Sequence, residues 1–63
     1  MDFPEDLVEA IELRLNGFKS GDTLDPLRLC EDIHSANPEL TRGVVSAAIK
    51  HLAAKRGIVV LDA

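Results

Sequence analysis

The sequence predicts a mainly α domain in which three helices surround one core and a minimal two-strand β element completes it. Three observations predict this class. Apolar residues recur at three- and four-residue spacing in three separate stretches. Residues that start or stop helices bracket those stretches. The run Ile58-Val59-Val60-Leu61 follows the last stretch as a β-branched extended segment, with Thr23-Leu24 as its short potential partner. A chain of 63 residues supports a single small domain, residues 1–63. A domain of this size buries only about 60% of its unfolded surface, so self-association is an expected source of extra stability.

The first helix opens near Asp2, where Glu5 three residues on completes a capping-box-like pair and Pro4 falls in the first turn. Leu7, Val8, Ile11, Leu15 and Phe18 form its apolar stripe. Asp6, Glu9, Glu12 and Asn16 gather on the far side as an acidic face. Asn16-Gly17 is the expected stop. Leu13 lies off the stripe, either as a partner surface or packed against Phe18 across a Schellman cap at Gly17, and the cap is the preferred reading.

Lys19 to Asp22 is a polar connection, and Thr23-Leu24 a very short strand. Asp25-Pro26 then gives an N-cap followed by proline, and Leu29, Cys30 and Ile33 supply the second helix with a narrow apolar edge. Ser35-Ala36-Asn37-Pro38 breaks that helix, because a residue before proline is pushed out of the helical region. The third helix is expected to begin there, with Asn37 as N-cap and Pro38 as its first residue. Lys55 and Arg56 occupy its last turn, and Gly57 supplies a left-handed stop. Val45, Ala48, Ile49 and Leu52 make its buried side, while Gly43, Ser46, Ala47, Lys50, His51 and Ala54 lie roughly opposite. The continuous apolar strand 58–61 suits a position buried on both faces or paired at both edges. It needs a partner, whether Thr23-Leu24, a second copy or another protein.

Composition narrows the function. With 46% hydrophobic and 29% charged residues, the chain is too apolar to be disordered and too interrupted by charge to cross a membrane. No basic segment leads into a long apolar run at the start, so no signal peptide is read and the cytoplasm is the expected compartment. Cys30 is the single cysteine, which excludes an internal disulfide framework. Cys30 and His34 stand four apart, but no second ligand pair accompanies them, so Cys30 reads as a small core hydrophobe and no metal or other cofactor is expected. Glu31-Asp32 and Glu9/Glu12 are carboxylate pairs on solvated helix faces without an evident pocket. Neither an enzymatic activity nor a small-molecule substrate is expected. The net charge of −4 opposes long-range attraction to nucleic acid, yet leaves room for a local basic patch.

The order helix, short strand, helix, turn, long helix, strand resembles a winged-helix domain of the helix-turn-helix superfamily. The likeness is carried by Leu29 to Val60, and within it by Thr41, Val45, Ile49, Leu52, Gly57 and Ile58-Val59-Val60. It implies a third helix placed in the major groove of DNA, and a small transcription-regulator-like domain acting as a homodimer whose two third helices reach adjacent grooves. Two departures accompany it. The sequence holds no residues after Ala63 for the hairpin wing, and the exposed face of the third helix is poor in side chains that read base edges.

Two functions follow as expectations. For duplex DNA the candidate contacts are Thr41, Arg42, Ser46, Lys50, His51, Lys55 and Arg56, the earlier ones near the groove and the later ones on phosphates. The alternative is a protein-interaction module without DNA binding. It would dock through Gly43, Ala47 and Ala54, whose small side chains admit a close approach, or through the strand at Ile58 and Val60.

Overall fold

The computed structural model of the chain describes residues 3–61. Helix α1 spans Glu5–Leu15, strand β1 Thr23–Leu24, helix α2 Pro26–Ala36, helix α3 Arg42–Lys55 and strand β2 Val59–Val60. The domain is mainly helical, with one small sheet. β1 and β2 pair in parallel, Thr23 opposite Val59 and Leu24 opposite Val60. A parallel pair needs a long crossover, and here α2 and α3 together supply it. The pairing is extended by Gly21 N–H donating to the Gly57 carbonyl (2.9 Å), Val59 N–H to Asp22 (2.8 Å) and Leu61 N–H to Leu24 (2.9 Å).

The three apolar stripes meet in one core. Leu7, Ile11 and Leu15 from α1, Leu29, Cys30 and Ile33 from α2, and Val45, Ala48, Ile49, Leu52 and Ala53 from α3 are buried together with Leu24 and Ile58. Each large aliphatic side chain buried there contributes about 1.5–3 kcal/mol. That burial holds the helices in place, since each is short enough to be marginal alone.

The helix boundaries differ from expectation in instructive ways. Asp2 lies outside the described residues; Pro4 occupies the N-cap position of α1 and makes no side-chain cap bond. α1 ends without a left-handed residue, because Asn16 is right-handed helical (φ −60°, ψ −22°) and Phe18 N–H donates to Leu15 (2.9 Å). Gly17 is absent from the positive-φ positions among the described residues. The expected Schellman cap is therefore not formed, and Leu13 stands 67% exposed.

Asn37 closes α2 instead of opening α3. Its N–H donates to the carbonyls of Ile33 and His34, and its Nδ2 donates to Ile33 at 3.0 Å. Residues 38–40 form a turn that packs Leu40 against the core. Thr41 then caps α3, its Oγ1 accepting from Val44 N–H at 3.2 Å.

The end of α3 agrees with the sequence reading and can be described in full. Gly57 is left-handed at φ 72°. Its N–H donates to Ala54 (3.2 Å), and Ile58 N–H donates to Ala53 (2.9 Å), the paired bonds of a Schellman motif. Ile58 turns into the core beside Ala53, while Val59 and Leu61 are 53% and 52% exposed. The strand is thus buried on one side and, among the described residues, paired at one edge, where burial on both faces or pairing at both edges was expected.

Candidate functional site: the exposed face of the third helix

α3 contains Arg42, Lys50, His51 and Lys55 and no carboxylate, whereas α1 contains Glu5, Asp6, Glu9 and Glu12 against Arg14. The acidic total hides this division. At about 100° per residue, Gly43, Ala47 and Ala54 fall along the midline of the side of α3 turned away from the core, and all three are exposed. Charge lies at the margins of that strip. Lys50 stands on the margin nearer α2, where with Gly43 and Ser46 it lines one wall of a groove that Arg42 also lines from the first turn of the helix. His51 stands on the opposite margin, its ring 5.8 Å from that of Phe3 and tilted by 49°. Lys55 is exposed in the last turn.

The structure gives the remaining candidates different surroundings. Thr41 is exposed but its hydroxyl is engaged in the cap. Ser46 is half-buried in the groove wall. Arg56 turns toward α1: its guanidinium donates to Asn16 Oδ1 at 3.0 Å and pairs with Glu12 at 3.5 Å. This ties the end of α3 to the end of α1 and leaves Arg56 on the seam between the two helices, outside the exposed strip. Ile58 is 5% exposed and its side chain belongs to the core, which corrects its expected role as a docking residue. Val60 is half-buried against the core.

Sequence reasoning passed over the residues that now border this face. The groove beside α3 has a volume of about 530 Å³ and includes Leu27, Cys30 and Leu61. Leu27 is 66% exposed, and its place two residues after the Asp25 cap, off the Leu29-Cys30-Ile33 edge, was a legible signal. Cys30 itself is buried, with Sγ donating to the Arg42 carbonyl at 3.7 Å. That contact suits a small core residue packed where the two helices approach. Among the described residues no group of His, Cys, Asp and Glu side chains is placed to hold a metal ion. None of their helices is long and apolar enough to cross a membrane.

Comparison with protein-family models, with curated proteins and with solved structures finds no match. The functional reading therefore rests on the geometry of α3 and its neighbours.

Proposed function

We propose that the domain binds duplex DNA through α3, in the manner its winged-helix-like order of elements suggests. One observation carries the reading: the exposed side of α3 has a midline of Gly43, Ala47 and Ala54 flanked by Lys50 on one margin and His51 on the other, with Lys55 in the last turn and no carboxylate anywhere on the helix. A helix with that cross-section can sit deep in a major groove while its margins reach phosphates on either side. Arg42, Lys50 and Lys55 are the cations suited to phosphate contact, and His51 adds a polar edge. Base readout is thin, because Ser46 and Lys50 are the principal side chains able to bond base edges. The expected binding is led by the backbone and strongly dependent on salt.

The test is a fluorescence-anisotropy titration of a labelled mixed-sequence duplex, first at low and then at near-physiological salt. Affinity should fall steeply as salt rises. Lys55→Ala should weaken binding about equally on all sequences and flatten the salt dependence by about one unit of slope. Absence of binding at low salt by folded protein would refute the proposal.

A second reading is favoured by a separate observation, the exposed Leu27 and Leu61 that line the α2–α3 groove. In that reading the scaffold is a protein-interaction module, and an amphipathic partner helix lays its apolar edge in the groove against the small residues of α3. Ala47→Arg should then abolish the complex with little loss of stability, since Ala47 faces solvent. A complex that survives this change removes the α3 face from the reading.

A further inference from the structure

The backbone of β2 faces two ways, and its hydrogen bonds show which edge is taken. Val59 N–H donates to Asp22 (2.8 Å) and Leu61 N–H to Leu24 (2.9 Å), so these two residues turn their backbone groups toward β1. Val60 lies between them and turns its N–H and C=O the opposite way. Among the described residues β1 is the only strand beside β2, and Val60 N–H makes no hydrogen bond to any of them.

An unpaired edge is a template for another strand unless charge guards it. The outer edge of β1 is bracketed by Asp22 and Asp25, both exposed, and two such edges would repel each other. Residues 58–61 carry no charge. Ile58 and Val60 pack on the core, while Val59 and Leu61 alternate with them and are 53% and 52% exposed. The open edge of β2 is therefore apolar and unguarded.

We propose that β2 pairs antiparallel with β2 of a second copy about a two-fold axis at Val60, giving a four-stranded sheet in the order β1, β2, β2, β1. A second copy is the occupant because this edge complements itself. In that register each Val60 N–H donates to the Val60 carbonyl of the other copy, and Val59 stands opposite Leu61 twice, apolar against apolar. A sheet of two short strands is marginal, and four strands support one another. Pairing over three residues buries far less than the roughly 1,200 Å² of a stable interface. The dimer is accordingly weak, and concentration controls it. It uses none of Gly43, Ala47 and Ala54, so it stands apart from both readings above.

The test is amide hydrogen exchange followed by NMR, from about 10 μM to about 1 mM protein, which spans weak association. Exchange at Val60 should slow about threefold or more across the series, while Val59 and Leu61, already bonded to β1, keep the protection they have. Sedimentation equilibrium over the same range should show dimer with little dependence on salt, because no ion pair forms. Val60→Pro should abolish the dimer and spare the pairing with β1, which does not use the Val60 N–H. Val59→Lys should weaken the dimer about tenfold or more by setting a charge opposite Leu61. Val59 is exposed, so this variant keeps its fold and carries the test even where Val60→Pro does not; far-UV circular dichroism verifies both. Protein that stays monomeric at about 1 mM overturns the proposal. So does exchange at Val60 that ignores concentration, or a dimer indifferent to Val59→Lys.

Discussion

Replacing Gly57 with alanine should destabilise the domain by an amount its local geometry sets. Gly57 joins α3 to β2 at φ 72°, a conformation that costs a residue with a Cβ about 1–2 kcal/mol. An added Cβ would also stand 2.7 Å from Ser20 Oγ and 3.7 Å from Ser20 Cβ. Ser20 is exposed, so its hydroxyl can rotate away, and the backbone term should dominate. Against a total stability of about 3–9 kcal/mol for a chain this long, a loss of 1–2 kcal/mol is large. It should lower Tm by about 8–15 °C. The assay is thermal unfolding followed by circular dichroism, with Gly57→Ala compared to Gly57→Ala/Ser20→Ala. The double variant should recover little, because removing the hydroxyl relieves the close contact and leaves the backbone strain. An unchanged Tm in Gly57→Ala would refute the left-handed cap as the junction of α3 and β2. Full recovery in the double variant would assign the cost to Ser20 instead.

Two further predictions concern how α3 is held. Thr41→Ala should cost about 1 kcal/mol through loss of the bond to Val44 N–H, and Thr41→Ser should retain most of it, as read by urea unfolding; equal losses in both would refute the cap. In a double-mutant cycle, Arg56→Ala and Glu12→Gln should couple by no more than about 1 kcal/mol, because both side chains are partly exposed to solvent. A larger coupling would show that the seam between α1 and α3 is more enclosed than its geometry indicates.

Much of the fold was legible because its signals act over a few residues. Asp25-Pro26 opens α2 as its side-chain chemistry requires, with Asp25 Oδ1 accepting from Leu27 N–H at 3.1 Å. Gly57 closes α3 for an equally local reason. The start of α3 was misread at Asn37-Pro38, although Thr41 is an equally competent N-cap. The choice was made where Leu40 packs against the core, leaving Asn37 to satisfy the last carbonyls of α2. Leu13 was misplaced for a related reason, because a glycine after a helix permits a left-handed cap without compelling one. The candidate site was legible as a list of cations, but Arg56 could not be separated from the others before Asn16 and Glu12 were seen beside it.

The sequence by itself determined the three apolar stripes, the Asp25 and Gly57 helix signals, and the cluster of basic residues between Arg42 and Arg56. All of these follow from residue spacing and side-chain chemistry within a few turns. Only the tertiary structure decided the parallel pairing of β1 with β2, the point at which α3 begins, and the fate of Arg56. The physical reason is that these features depend on which residues meet across more than a dozen positions of chain, and packing of the common core selects among local alternatives that differ little in energy.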